Sequence, residues 1–487
     1  MIVAEKEILK FSRVVEKALR KNDFNGAMAA LELCAELRYR ENQIIYDRKL
    51  ENYLSQLVDK AGEGLQNGND CDGRTVLFYD GFGLDHRGLS YIYVRALVNL
   101  KYKVILVLDG RHETSAEKME RLVRENCGKV YYLRNQSYDC WCREFAEIVA
   151  KHSPENAFLY SSPYDTAAMV SFGRFRGKIS SFLVNSTDQE YWLGTDVTDY
   201  IIEFRDFGAS ISKEYRNIDP NRLIKLPFYP YVDESKEFMG YPFPYHGDMV
   251  VIFSGGQLYK TRDENQTYYR IVHNALEKHP NVVFWYARGG PCEELEALQE
   301  KFPGRVFHTK ERSDLLQVLK HCDIYLNTYP IAGGLMMQYS ALAGKLPVGL
   351  RTIAGEADDI LIDQEQHRVF FDTVDELQGE LDRLVADPVY RQSRNDEMKE
   401  GTVISESEFT VQLQQITENQ HSDYLIRWKH YPIEELLEVY NRINRGVTSK
   451  LFYKHSRRYL LRYEFATIVG NQMKYIASKI KEKLRLR

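Results

Sequence analysis

Hydrophobic and polar positions along the chain change their period as it proceeds. Residues 5–62 carry apolar side chains at helical spacing, and KALRKNDFNGAMAALELCAELRY (17–39) reads as two striped helices joined at an Asn-Asp turn. One such hairpin cannot bury its own stripe. Residues 1–65 therefore predict either a helical extension packed on the body of the protein or a docking surface for a partner protein. They resemble a single tetratricopeptide-like hairpin without a second copy. From Thr75 the pattern becomes short continuous apolar runs, TVLFYDG, KVILVLDGR, KVYYLR, NAFLYSS, ISSFLVNS and YIIEFRD, most followed by polar or helical stretches. This is βαβ grammar, and it predicts a parallel sheet with right-handed crossovers.

The segment IKLPFYPYVDESKEFMGYPFPYHGD (224–248) is rich in Pro and Tyr, cannot be helical, and reads as an interdomain connection. A second set of strands runs from Met249 to about residue 385, after which LIRWKHYPIEELLEVYNRINRG is helical. The expected fold class is α/β, with two Rossmann-like domains of parallel strands facing one another. The expected division is a helical extension (1–65), a first domain (74–235), a second domain (246–388) and C-terminal helices with a basic tail (389–487).

A chain of 487 residues exceeds the size at which one core keeps growing, and 44% hydrophobic with 28% charged residues is ordinary for a globular protein. The formal charge of −5 hides an asymmetry: from Lys450 to Arg487 there are eleven Lys/Arg against Glu464 and Glu482, so this stretch carries +9 and the remainder −14. Its Lys/Arg alternate with aromatic and aliphatic residues at helical spacing. That suits an anionic membrane surface, or helices that cross back to pack on the first domain. Positive charge without a recognised motif gives no expectation of nucleic-acid binding. No run of about 18 apolar residues occurs and the N-terminal stretch is charged, so the expected location is cytoplasmic, at the cytoplasmic face of a membrane if the tail engages one. Seven scattered cysteines without a CxxC pair predict reduced thiols and neither a disulfide framework nor a zinc site.

The chemistry concentrates between Met249 and Leu350. The strand VVIFS runs into a turn with Gly255, Gly256, Gln257 and Lys260, and a second turn, Gly333-Gly334-Leu335, opens an apolar helix containing Gln338. Backbone N–H groups at a glycine-led helix start favour an anion. With Lys260 on the first turn, a diphosphate can be held from both sides. No GxGxxG with a later acidic residue and no GxxxxGK[ST] is present, which moves the expectation from a dinucleotide cofactor or a P-loop nucleotide to a nucleotide sugar. Arg288, after NVVFWYA, suits phosphate or acceptor contact, or a surface ion pair. Asp70-Cys71-Asp72 matches DxD only superficially, because it precedes the first strand. No cofactor and no essential metal are expected, Lys260 and the helix dipole neutralising the leaving diphosphate instead.

On the run Gln257-Leu258-Tyr259-Lys260 and the block VFHTKERSDLLQVLKHCDIYLNTYPIAGG, the second half resembles the GT-B glycosyltransferases. Within them it is most similar to the O-linked N-acetylglucosamine transferases and their bacterial relatives. The resemblance implies that Gln257 and Lys260 hold the donor diphosphate, that His308, Thr309 and Lys310 touch the base, and that Glu356 lies near the nucleotide or sugar. It also implies an acceptor role for the first domain. Three departures stand out. The turn Ala332-Gly333-Gly334-Leu335 lacks the family's His and Thr donors, Tyr339 stands where many GT-B enzymes have a ribose-binding carboxylate (leaving Gln338 or Glu356 to compensate), and no acidic residue lies between Asp323 and Glu356. The last favours inversion, with a base removing the acceptor proton.

Two residues are candidates for that base. Asp188, in NSTDQEYW, is either the base or the N-cap of a helix beginning near Glu190; related sequences resemble NHxDHxFWxG, and Ser186 and Gln189 replace both histidines here. His86, in GFGLDHRG, is either the base or an exposed turn residue. The expected activity is transfer of a hexosyl or N-acetylhexosaminyl group from a nucleotide sugar, first of all a UDP-sugar, to a protein or glycan acceptor. A UDP-sugar epimerase and a catalytically weak scaffold subunit of a glycosyltransferase complex are the alternatives.

Overall fold

The structure is a computed structural model, which describes residues 2–62, 74–84, 88–111, 114–233, 235–398, 401–442 and 449–485. Three helices come first: α1 (Ile2–Arg20), α2 (Phe24–Glu41) and α3 (Arg48–Ala61). Then strands and helices alternate: β1 (Thr75–Asp80), α4 (Gly88–Asn99), β2 (Lys103–Asp109), α5 (Glu117–Glu125), β3 (Lys129–Leu133), α6 (Tyr138–His152), β4 (Asn156–Tyr160), α7 (Thr166–Gly173), β5 (Ser180–Val184), β6 (Tyr200–Glu203), α8 (Asp206–Glu214) and β7 (Leu223–Lys225). Among the described residues these strands form one sheet of order β3-β2-β1-β4-β5-β6-β7, every neighbouring pair parallel. Every residue of β1 and of β4 is buried, which is why these strands read as continuous apolar runs instead of alternations. Register Phe78↔Phe158↔Phe182 stacks three rings across β1, β4 and β5, with centroids 6.1 and 5.0 Å apart.

The second unit repeats the pattern with β8 (Val250–Gly255), α9 (Thr267–Lys278), β9 (Val282–Ala287), α10 (Glu293–Lys301), β10 (Val306–Thr309), α11 (Leu315–His321), β11 (Ile324–Leu326), α12 (Gly334–Leu342), β12 (Pro347–Leu350) and β13 (Phe370–Phe371). Helices α13 (Val374–Ala386) and α14 (Pro388–Asn395) follow. Its sheet, of order β10-β9-β8-β11-β12-β13, is also parallel throughout. In both sheets the chain lays down three strands outward and then crosses back beside the first, so the order reverses between β1 and β4 and between β8 and β11.

Two compact units comprise 1–227 with 409–430 and 440–487, and 228–408 with 431–439. The N-terminal helices are not a separate domain. From Gly26 to Leu37 every residue of α2 is buried, so this helix is enclosed on all sides, and its Met28, Leu31 and Leu33 share one core with Trp141 and Phe145 of α6 and Phe172 of α7. Its start is fixed by Asp23, whose carboxylate accepts the Gly26 N–H at 3.0 Å. After α15 (Glu406–Asn419), α16 (Ile433–Arg442) and the last helix α17 (Leu461–Arg485), the chain is back on this core. Phe409 sits edge-on to Tyr93 at 5.0 Å, while Leu451, Phe452, Leu460 and Ile468 join the cluster built on α1 and α2.

Part of the basic tail is therefore internal. Arg457 is fully buried and ion-paired with Glu32 at 3.0 Å and Glu36 at 2.9 Å, Lys454 reaches Glu36 at 2.8 Å, and the Tyr138 hydroxyl donates to Glu32 at 2.7 Å. Burial works to raise the Glu32 carboxyl, but Arg457, Lys454 and Arg111 outweigh it and hold the group at about 2. A carboxyl lowered in this way contributes stability that is present above its unfolded value near 4.5 and is lost as pH falls through that value toward 2.

Replacing Arg457 by Ala strands two buried carboxylates, and urea unfolding at neutral pH should show a loss of about 3–5 kcal/mol. Removing Glu32 should abolish part of the wild-type loss of stability below pH 4.5; an unchanged acid limb would assign that limb to other carboxylates.

Candidate functional site

In an open parallel sheet, ligands bind beyond the carboxyl ends of the strands where the strand order reverses. In the second unit that point lies between β8 and β11. Strand β8 ends at Gly255, and Gly256 follows at φ +121 with open space around it, a conformation that side chains disfavour. Gln257 is exposed and precedes a 3₁₀ turn over Leu258–Thr261. That turn is tied to the loop after β11 by two hydrogen bonds: Lys260 Nζ donates to the Ala332 carbonyl at 2.9 Å, and the Ile331 N–H donates to the Lys260 carbonyl at 3.3 Å. Lys260 and the glycine pair, 73 positions apart at Gly333, thus meet at one place. The Thr261 hydroxyl, 2.6 Å from that of Tyr269, anchors the foot of the turn.

Asn327 organises the other side, a role that sequence reasoning missed. Its Oδ1 accepts the N–H groups of Gly333 and Thr328, both at 2.9 Å, and its Nδ2 is buried without a hydrogen-bond partner. The Gly333 N–H is therefore already used, and that of Ala332 points to Glu356 Oε1 at 3.4 Å. Of the glycine pair, only Gly334 keeps its amide to offer. The donors at the start of α12 are instead those of its first turn, Gly334 to Met336, with no side chain capping them. Glu356 reaches its place through Ala354 and Gly355, both left-handed at φ +62 and +63; for an alanine this is a strained conformation.

Parallel pairing puts the ends of β9, β10 and β12 on the same edge. Arg288, after β9, is ion-paired with Glu311, the surface-pair alternative noted above. The His308 ring lies against the Arg288 carbonyl, Thr309 Oγ1 accepts from Trp285 Nε1 at 2.9 Å, and Lys310 is exposed. Gln338 has only one end of its amide engaged, its Oε1 being buried without a hydrogen-bond partner. It is buried and donates to the Phe228 carbonyl at 2.8 Å, beside Tyr339, whose hydroxyl donates to the Tyr231 carbonyl at 3.0 Å; both hold the connecting segment.

In the first unit, Asp188 caps no helix. It is wholly buried, no helix begins at Glu190, and its carboxylate is held by Arg205 through Nε at 2.5 Å and Nη2 at 3.1 Å. Beside it Glu203 accepts from Asn185 at 2.9 Å and from Ser212 at 2.5 Å, while Arg216 donates to the Asp188 and Glu190 carbonyls at 2.8 Å. Gly208 completes this packing, since a Cβ there would lie 2.5 Å from Glu203 Oε2. The loop after β5 folds inward to bury its acid, a choice that a strand-end position does not reveal. Burial pushes the Glu203 carboxyl up to about 7 against the pull of Arg216. The second candidate base, His86, lies outside the described residues, as does Asp70-Cys71-Asp72.

Together these features define the class: an α/β protein of two Rossmann-like units of the GT-B kind, with the cation and uncapped helix start suited to an anion on the second. No family model matches the sequence, and no curated protein matches it. HepE of Anabaena, solved in complex with UDP and glucose and again with UDP-glucose, has a similar structure, with a TM-score of 0.50 and 12% identity over 70% of this chain and 98% of HepE. That likeness is one of fold. A putative UDP-N-acetylglucosamine 2-epimerase from Listeria monocytogenes gives a TM-score of 0.49 at 9% identity, over 73% of this chain and 99% of that one. A Thermobaculum terrenum O-GlcNAc transferase mutant gives 0.43 at 13% identity, over 99% and 84%.

A carboxyl raised from 4.5 to about 7 keeps its proton in the folded state where the unfolded chain has lost it, so stability falls as pH rises through that window and levels off above it. Glu203→Gln should flatten a decline of roughly 3 kcal/mol between pH 4.5 and 7. Denaturant melts at a series of pH values measure it, and an unaltered slope would show that Glu203 ionises freely.

Proposed function

We propose that this protein is an enzyme that binds a UDP-sugar through its second unit and transfers the sugar to a protein or glycan acceptor. The observation that carries the reading is the Lys260 ammonium fixed to the Ala332 carbonyl beside the uncapped first turn of α12, where the sheet order reverses. An ammonium and a helix start aimed at one place neutralise charge that grows on a departing diphosphate, and they do so without rearranging. Asn327 Nδ2 supplies a further donor close to that place, and Gly256 lets the backbone approach. Gln257, His308, Thr309, Lys310 and Glu356 lie along the same edge and complete the proposed donor site. The absence of any acidic residue between Asp323 and Glu356 supports direct displacement with inversion at the anomeric carbon.

Epimerisation of a UDP-sugar is a second reading, and one observation favours it. Asp188, one of the two candidate acceptor-side bases, is buried and ion-paired with Arg205. Both readings use the same grip on the donor.

Lys260→Ala should weaken UDP binding about tenfold to a hundredfold by calorimetry, the range for losing one charge-assisted hydrogen bond. Unchanged affinity would remove the lysine from the site. Incubation with UDP-sugars alone then separates the reactions, because an epimerase converts the sugar while a transferase leaves it intact apart from slow hydrolysis.

A further inference from the structure

Helix α17 has two apolar faces and only one of them is packed. Ile468 is buried, the Tyr475 ring meets Tyr453 at 5.0 Å, and Gln472 donates to the Phe452 carbonyl at 3.1 Å, so this side rests on the first unit. The other stripe is Phe465, Val469, Met473, Ile476 and Ile480, at successive spacings of four, four, three and four. It faces solvent: Phe465 is 65%, Met473 60% and Ile480 54% exposed. Single exposed apolar side chains need no explanation, but a continuous stripe roughly 22 Å long marks a surface that is covered in use.

Charge indicates what covers it. Nearer the start of the tail, Arg457 and Lys454 pair with Glu32 and Glu36, and Arg462 with Asp23. Lys481 lies past the Met473 edge of the apolar stripe and Lys479 past its Phe465 edge, with Lys474 nearly opposite the stripe's centre, all three exposed. The sequence continues with Lys483, Arg485 and Arg487 against Glu482 alone. Long lysine stems bordering an apolar stripe let the helix lie flat in an interface, with the ammonium groups reaching outward among negative headgroups. No helix among the described residues is long and apolar enough to cross a membrane.

We propose that α17 docks the protein on an anionic membrane surface, burying the Phe465–Ile480 stripe at the headgroup level. The geometry extends beyond the proposed activity and does not depend on it. The packed face keeps the helix attached to the first unit while the stripe engages lipid.

Sedimentation of the full-length protein with vesicles tests this. The wild type should pellet with mixed phosphatidylcholine–phosphatidylglycerol vesicles, stay in solution with pure phosphatidylcholine, and be released as salt rises. Ile476→Asp with Ile480→Asp should lower the partition at least about tenfold with the melting temperature unchanged, because both side chains are exposed. Lys474→Glu with Lys481→Glu should act in the same direction and weaken the salt dependence. Failure of the wild type to pellet, or equal pelleting of both variants, overturns the proposal. So does a lipid-free dimer that the isoleucine substitutions dissociate while leaving vesicle binding intact.

Discussion

Parallel strand pairing is the constraint on which the rest depends. Each crossover must return the chain to the same end of the sheet, so every strand of a unit delivers its following loop to one edge. That brings Lys260 after β8 and Ala332 after β11 within hydrogen-bonding distance although 72 positions separate them. It also aligns Arg288, His308 and Glu356 along the same rim. Because β8 and β11 are neighbours at the reversal of strand order, no strand lies between their loops to fill the space.

Buried charge is the second organising influence, and it works in opposite ways in two places. Around Arg457 it joins the two ends of the chain: guanidinium and carboxylates satisfy one another where the tail meets α2. Removing one partner is costly there because the others cannot regain water. Around Asp188 and Glu203 two acids face Arg205 and Arg216 in a fully enclosed loop, and burial prevails over pairing at Glu203. The first cluster fixes where the tail lies. The second fixes the loop after β5 and holds the Asp188 carboxylate against Arg205.

Most of the framework was legible because long-range structure left a local mark. Strands buried on both faces require unbroken apolar runs, and TVLFYD and VVIFSG show them; the glycines at 255, 256, 333 and 334 announce turns. Asn327 left no such mark, since its meaning comes from the backbone that folds over its side chain. Gln338 reads from the sequence as a polar group facing a ligand, and its Nε2 is tied to the connecting segment, a partner 110 positions away. The basic tail read as one unit because charge and helical period are uniform along it, whereas Lys454 and Arg457 are matched to acids on α2 and Lys474, Lys479 and Lys481 are exposed.

The amino-acid sequence alone determined the α/β class, the two parallel sheets, and the pairing of a lysine turn with a glycine-led helix, because backbone propensity and burial period are properties of neighbouring residues. Tertiary structure decided which polar groups remain to act. Whether Asp188 meets solvent or Arg205, whether the Gly333 amide meets an anion or Asn327, and which face of α17 is covered all depend on residues distant in the chain. Their free energies arise only when those distant groups compete for the same hydrogen bonds and the same buried space.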